Sequence, residues 1–300
     1  MNKLTTSDRV RIVAALVEGN SIRSTVRMTG IAKNTILGLL VDLGSVCSVF
    51  QSKTMRGLKC KRLQLDEIWS FCGAKEKNVP DERRGQHGAG DVWTWTAIDA
   101  DTKLIPAWYV GKRCAEDAEA FIADLSERLA EKPQITTDGL KMYVTPIQDS
   151  FGEAVDYAML VKVYGMDPAA GHSRYSQVEV IGIEKKTIMG NPDWKHISTS
   201  FVERANLTMR MGMRRFTRLT NAFSKKIENH EAAIALHFMH YNFCRIHQTL
   251  RVTPAMAAGL TDHVREIEEV IGLLEAEERQ AVAEGALKRG KYRNKENYSN

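Results

Sequence analysis

The chain has 300 residues, of which 43% are apolar and 26% charged, a balance typical of a globular protein large enough to bury a sizeable core. No run reaches the roughly 18 to 20 apolar residues of a membrane-spanning helix, and the N-terminus lacks an apolar signal segment, so we expect a cytoplasmic protein with no membrane partner. Of the net charge of +5, residues 1–62 hold eleven Lys and Arg against three Asp and Glu, and residues 201–226 hold seven against one. Basic charge concentrated in two segments predicts a polyanionic partner.

Residues 8–43 carry apolar side chains at helical spacing and predict three short helices. Ser21 is placed to cap the second helix, and Gly30 forms a tight turn ahead of the third. This is the helix-turn-helix arrangement, whose last helix enters the major groove of DNA; a plain three-helix bundle is the alternative. We assign residues 1–45 to this all-α domain and residues 46–61 to a basic linker, which a short connecting helix could form in part. The residues expected to contact DNA are Arg23, Arg27, Lys33, Asn34 and Thr35.

A second pattern begins at residue 62, where apolar and polar residues alternate as they do in strands. The alternation predicts three antiparallel strands, followed by an amphipathic helix, a fourth strand, a helix or turn, and a fifth strand. This order makes an α/β domain, a mixed five-stranded sheet flanked by helices, which is the ribonuclease H-like arrangement. In it the first and fourth strands are parallel neighbours. We assign the domain to residues 62–220, with an insert at about 164–199 that could form a hairpin beside the site, and residues 221–300 to a C-terminal helical region with a basic tail.

Three acidic residues stand at the ends or centres of these predicted elements. Asp66 lies in the middle of the first strand, Asp138 closes the fourth, and Glu203 opens a helix rich in arginine. Because the first and fourth strands are neighbours, we expect Asp66 and Asp138 to meet at one sheet edge. Buried carboxylates repel one another unless a cation joins them, so the pattern predicts two Mg²⁺ ions and phosphoryl transfer. Glu184 and Glu179 in the insert are rival third acids.

The helix after the insert adds side chains that suit a phosphate backbone. Its residues Glu203, Asn206, Arg210, Arg214 and Thr217 recur on one stripe, which could ligate metal at one end and bind phosphates along its length. A solvent-facing helix is the alternative. The residues of this segment expected to contact DNA are Arg204, Asn206, Arg210 and Arg214.

Four features together resemble bacterial insertion-sequence transposases of the DDE class, and most closely the insertion-sequence-one family. These are the spacing D-x71-D-x64-E, the helix VERANLTMR, the N-terminal TGIAKNTILGLL and the later YNFCRIHQTLRVTPAMAAGL. The resemblance covers about residues 8–262. It implies a catalytic core of the retroviral integrase type, in which Asp66, Asp138 and Glu203 are the catalytic acids and metal ligands.

The same resemblance implies two Mg²⁺ ions, for which Mn²⁺ can substitute, and an activity on double-stranded DNA. The expected reaction is hydrolysis at the 3′ ends of the element, followed by strand transfer of the freed 3′-OH into target DNA. It also implies a homodimer or larger synaptic assembly associated with the bacterial nucleoid. Two alternatives stay open: a ribonuclease H-like nuclease that cuts without joining, and an inactive DNA-binding repressor derived from a transposase.

Two C-terminal segments complete the chain. Residues 241–256, with His247, Thr253 and Pro254, resemble the family's post-catalytic motif, to which we assign no chemistry. Residues 264–281 carry an apolar helical face that could pair with another subunit or pack on its own domain.

Overall fold

Helices flank one mixed sheet of six strands. The computed structural model describes residues 4–153, 155–165, 179–217 and 220–284. The predicted basic tail, 285–300, and part of the predicted insert, 166–178, lie outside the described residues. The elements are α1 Thr6–Val17, α2 Ile22–Thr29, α3 Lys33–Thr54, β1 Arg62–Cys72, β2 Gly90–Asp99, β3 Trp108–Gly111, α4 Ala115–Arg128, β4 Gln134–Thr137, α5 Val144–Phe151, β5 Asp156–Gly165, β6 Glu179–Met189, α6 Ser200–Gly212, α7 Ile227–Met239, α8 Pro254–Ala257 and α9 Ile267–Ala283.

The strands follow the order β3-β2-β1-β4-β5-β6. As predicted, β1 and β4 are parallel neighbours; β4 and β5 are also parallel, and the other three pairings are antiparallel. The predicted count of five strands was one too few, because β6, from the insert, adds a sixth strand beside β5. This strand buries little, and Ile181 and Ile183 are 67% and 59% exposed. It therefore lacks the buried apolar face by which strands are recognised in a sequence.

Both faces of the sheet are covered by apolar cores. Leu63 and Leu65 of β1 belong to the larger core, together with buried residues of α3, α4 and α5. Ile68 belongs to the opposite core, which includes Val202 and Met209 of α6. Helix α7 contributes to both cores, so it is apolar around most of its circumference. This layering decides which residues of β1 face which helices.

The N-terminal helices follow the predicted pattern up to α3. Ser21 caps α2 by accepting a hydrogen bond from the Ser24 N–H at 3.0 Å, and Gly30 ends α2 in the left-handed conformation. Helix α3 continues to Thr54, so residues 46–54 of the predicted linker are helical, in line with the connecting helix that the sequence allowed there. The reason is tertiary, because Gln51 is buried and its side-chain amide donates to the Ala235 carbonyl of α7 at 3.1 Å.

Helix α3 also corrects the expectation that no segment is apolar enough to cross a membrane. It has 22 residues, and its most apolar 18-residue window has a mean hydropathy of 1.5. By length and composition alone such a helix could span a bilayer. In the structure 44% of that window is buried inside the protein, where the helix packs against α7 and α9.

The C-terminal helices close the larger core. Val270, Ile271 and Leu274 of α9 are buried within the same chain, where α9 packs against α1 and α3. Arg9 of α1 reinforces this contact through Glu278, with 2.8 Å between Nη2 and Oε1. The apolar face predicted over 264–281 therefore packs on its own chain.

The segment between α7 and α8 has a structural role. Asn242 is fully buried; its Oδ1 accepts from the Ile105 N–H and its Nδ2 donates to the Ile105 carbonyl, both at 3.0 Å. Thr253 caps α8, whose first residue is Pro254. These contacts attach the predicted post-catalytic motif to the β2–β3 connection.

A buried histidine joins α7 to β1. His230 Nε2 lies 3.0 Å from Ser70 Oγ of β1, and its Nδ1 lies 2.9 Å from Ser224 Oγ. Arg215 donates to the same Ser224 hydroxyl at 2.7 Å. Burial is the main cause that lowers the pKa of His230 to about 3, so the ring is neutral in the folded protein. The network holds the segment after α6 against the end of β1.

Candidate functional site

Three carboxylates meet where β1 and β4 diverge. The parallel register pairs Leu65 with Thr137, which brings the next residues, Asp66 and Asp138, side by side. Glu67 joins them, and one carboxylate oxygen from each of the three residues lies within 4.8 Å of the others. The structure thus brings together the two predicted aspartates and a glutamate that was not predicted.

The negative charge at this cluster is poorly compensated. Burial, followed by the charges of Glu67 and Asp138, raises the pKa of Asp66 to about 7. The hydrogen bonds that Asp66 accepts from the Glu67 N–H, at 2.9 Å, and from Asn206 Nδ2, at 2.8 Å, oppose this shift without cancelling it. A divalent cation would relieve the repulsion, and an all-oxygen donor set fits a hard cation such as Mg²⁺.

The Glu67 side chain is held on the face of the sheet opposite to that of Asp66. Its side chain is 1% exposed; Arg113 donates to it at 2.7 Å through Nε and at 2.5 Å through Nη2, and Tyr143 donates at 3.1 Å. Burial and then the charge of Asp138 still raise its pKa. A signal was present in the sequence, because alternation puts Glu67 on the same face as the apolar residues Leu65 and Trp69.

Helix α6 is anchored to β1 by two polar side chains. Gln64 Oε1 accepts from the N–H groups of Phe201 and Val202, at 2.8 and 3.2 Å, and so caps the first turn of the helix. Two residues further along β1, Asp66 accepts from Asn206. Asn206, predicted as a DNA contact, is buried and positions Asp66 instead.

Glu203, the predicted third acid, lies in the first turn of α6, and its carboxylate is not part of the three-carboxylate group. Its Oε1 is 2.6 Å from Lys162 Nζ of β5 and 2.6 Å from Thr199 Oγ1. The rival Glu184 forms an ion pair with Lys186 at 2.9 Å on β6, and the side chain of Glu179 lies outside the described residues.

The predicted stripe of α6 is shorter than its spacing suggested. The helix ends at Gly212, so Arg214 and Thr217 leave the helical stripe and lie in and after a short 3₁₀ turn. The stripe therefore keeps Glu203, Asn206 and Arg210. Arg204 and Arg214 are both exposed.

The five N-terminal residues predicted to contact DNA lie on neighbouring turns. Arg23 and Arg27 belong to α2, and Lys33, Asn34 and Thr35 form the first turn of α3. All five are exposed. Between the two helices the chain turns tightly at Gly30, with φ of 74°.

Comparison with known proteins finds no family model that matches this chain. No curated protein matches it. Among solved structures it is similar to a piggyBac transposase synaptic complex with hairpin DNA, with a TM-score of 0.37 and 11% identity over 97% of this chain and 76% of that chain. It is also similar to the Mos1 transposase paired-end complex with left transposon end, at TM-score 0.19 and 10% identity over 50% and 58% of the two chains. The Mos1 strand transfer complex gives a TM-score of 0.22 and 10% identity over 79% and 78%. Likenesses this low carry no argument about the fold or chemistry of this chain.

Proposed function

We propose that this chain is a DNA transposase of the DDE class that cleaves the ends of an insertion sequence and joins them to target DNA. The observation that carries the proposal is the meeting of Asp66 and Asp138, which have 71 residues between them in sequence, at the divergence of two parallel strands. The strand order β3-β2-β1-β4-β5 supports a ribonuclease H-like catalytic domain.

The residues of the cluster have different roles in such a site. Two Mg²⁺ ions, or Mn²⁺ in their place, would activate the attacking oxygen and stabilise the leaving oxygen when bound. Asp66 and Asp138 supply ligand oxygens, and Asn206 sets the orientation of the Asp66 carboxylate. We propose Glu203 as the third ligand, which requires its carboxylate to exchange the contact with Lys162 for a cation.

Recognition of the DNA is assigned to the exposed N-terminal turns. Arg23 and Arg27 are suited to contact phosphates. Lys33, Asn34 and Thr35 are suited to contact base edges, because the N-terminal end of the second helix of a helix-turn-helix motif faces the major groove. The partners are then double-stranded terminal repeats and target DNA. A homodimer or larger assembly must hold the two ends together, and we expect it in the cytoplasm at the nucleoid.

The decisive experiment supplies the purified protein with DNA that carries the inverted repeats flanking its gene, with and without Mg²⁺. Nicked 3′ ends together with joined products support a transposase. Nicks without joining favour a nuclease, and shifted DNA that is never cut under any divalent metal favours a repressor.

Variants identify the acids that take part. Asp66→Asn and Asp138→Asn should each abolish cleavage while end binding persists, and Asp149→Asn, on the exposed face of α5, should change neither. The third acid is decided by comparing Glu203→Gln with Glu67→Gln at rising Mg²⁺ concentration. If Glu203→Gln stays active and Glu67→Gln does not, Glu67 takes the role assigned to Glu203.

A binding test addresses the N-terminal assignment. Replacing both Lys33 and Asn34 with alanine should weaken binding to the terminal repeat, while Lys53→Ala, which removes an exposed charge from the far end of the same helix, should not. Unchanged binding by the double variant would overturn the recognition-helix assignment.

A further inference from the structure

A row of aromatic side chains lies beside the acidic cluster. Trp69 and Phe71 follow Glu67 at alternate positions of β1 and so share its face, and Trp93 of β2 is directly opposite Trp69. The row continues through ring contacts, with centroids 5.7 Å apart for Trp69 and Phe71 and 4.8 Å apart for Phe71 and Phe223. All four rings are half-buried, whereas the alternating residues of β1, Ile68, Ser70 and Cys72, are buried on the other face, where Ile68 and Cys72 belong to the opposite core. The aromatic row is therefore the outward face of this hairpin.

Two cations accompany these rings. The Lys75 ammonium is 5.9 Å from the Trp69 ring centroid and 6.0 Å from that of Phe71, and the Arg113 guanidinium is 4.8 Å from that of Trp93. Arg113 is the same residue that binds Glu67, so it joins the acidic cluster to the aromatic row. Along the strand, Glu67 and Trp69 are two positions apart, which corresponds to about 6.6 Å.

We propose that this aromatic row, made of Trp69, Phe71, Trp93 and Phe223 with Lys75 and Arg113, binds unpaired nucleotides of a DNA strand whose phosphate lies at the acidic cluster. The inference rests on the proposed function, because the acidic cluster is where that function places the cleaved phosphate. Aromatic faces stack on bases, and the neighbouring cations match the phosphates between them. Bases within a duplex do not offer their faces, so the occupant is a strand opened or frayed beside the cleavage point.

The test measures binding of a labelled single-stranded oligo-dT and of a duplex of equal length to the full chain, by fluorescence anisotropy in EDTA. Trp69→Leu keeps an apolar side chain and removes the stacking face, and should weaken single-strand binding about tenfold. Trp69→Phe should recover most of the loss. The matched control is Phe50→Leu, because Phe50 is also a half-buried aromatic with a guanidinium, that of Arg265, 5.0 Å from its ring; it should bind normally.

Thermal unfolding of each variant separates lost binding from lost folding. If Trp69→Leu does not fold, Lys75→Ala decides the question, since Lys75 is exposed and its removal should weaken single-strand binding about two- to fivefold. Normal single-strand binding by a folded Trp69→Leu, or an equal loss for single strand and duplex, overturns the proposal, and so does normal binding by Lys75→Ala where that variant has to decide. Because these measurements need no cleavage, a protein that never cuts its element ends would refute the enzymatic proposal and leave the strand-binding result readable.

Discussion

Replacing Asp66 with asparagine should stabilise the metal-free protein. Burial beside two like charges raises the pKa of Asp66 from its ordinary 3.8 to about 7. An acid whose pKa is higher in the folded than in the unfolded chain stabilises the fold while it is protonated, and this contribution is lost as the pH rises from 3.8 through about 7. Since one pKa unit corresponds to about 1.4 kcal/mol, the ionised carboxyl costs the folded state at most about 4 kcal/mol at pH 8.

Asparagine has nearly the same shape and keeps one oxygen, which can accept from Asn206, but its amide group replaces the oxygen that accepts from the Glu67 N–H. This lost hydrogen bond and partial access of water reduce the gain to about 2 to 3 kcal/mol, or a rise of about 4 to 6 °C in Tm. Thermal unfolding in EDTA measures it at pH 8 and at pH 5. The gain should fall by more than half at pH 5, where the wild-type carboxyl is already protonated.

Mg²⁺ supplies the second half of this test. It should raise the Tm of the wild type at pH 8 and leave that of Asp66→Asn nearly unchanged, because the variant lacks a ligand carboxylate. Asp149→Asn, at an exposed position, should behave as the wild type in every condition. If Asp66→Asn is no more stable than the wild type at pH 8, or if Mg²⁺ stabilises both proteins equally, the account of the cluster as uncompensated buried charge is refuted.

Three further outcomes can be measured. Gly44→Ala should lower the free energy of unfolding in urea by about 2 kcal/mol, because a Cβ there would lie 2.5 Å from the backbone of α7. Gly38→Ala, where a Cβ would have nothing within 4 Å, should raise it by up to about 1 kcal/mol. Equal effects would contradict the close packing of α3 on α7. His230→Ala should destabilise the fold by about 2 to 4 kcal/mol at pH 8. The deficit should shrink as the pH falls below 6.5, because His230 then gains a proton in the unfolded wild type but not in the fold, where its pKa is lowered to about 3. A deficit that does not change with pH would show that the ring is not held neutral. Lys162→Met should lower the Mg²⁺ concentration for half-maximal cleavage about two- to fivefold, because the ammonium competes with the cation for Glu203; a higher requirement would instead give Lys162 a supporting role.

Local patterns in the sequence were sufficient to predict the elements whose buried residues recur at a short, regular spacing. The alternation around Asp66 predicted β1, and the Ser21 and Gly30 signals predicted the bounds of α2, since capping and pleating depend on residues within four positions. For the opposite reason, residues 46–54 stayed open between a linker and a short helix, and β6 was not predicted as a strand of the sheet. Their conformation depends on partners far along the chain, α7 in one case and β5 in the other.

The candidate site divides in the same way. An acid in a strand and an acid after a short apolar run were visible one by one, and the parallel pairing of their strands was inferred from element order. Glu67 was missed although alternation places it on the apolar face of β1, because its role also requires Arg113 and Tyr143, 46 and 76 residues away, to bind its carboxylate. The end of α6 at Gly212 likewise removes Arg214 from a stripe that helical spacing alone would have continued.

By itself, the sequence determined that Asp66 and Asp138 lie on or at the end of strands able to meet, that basic charge is gathered in two segments, and that the N-terminus forms helices. Only the tertiary structure decided which carboxylates converge, that Glu203 is paired with Lys162, and that aromatic rings extend from the cluster. The physical reason is the distance along the chain over which each kind of interaction acts. Helix capping and side-chain periodicity act between near neighbours, whereas the repulsion and burial that define a charged site depend on which distant elements the fold packs together.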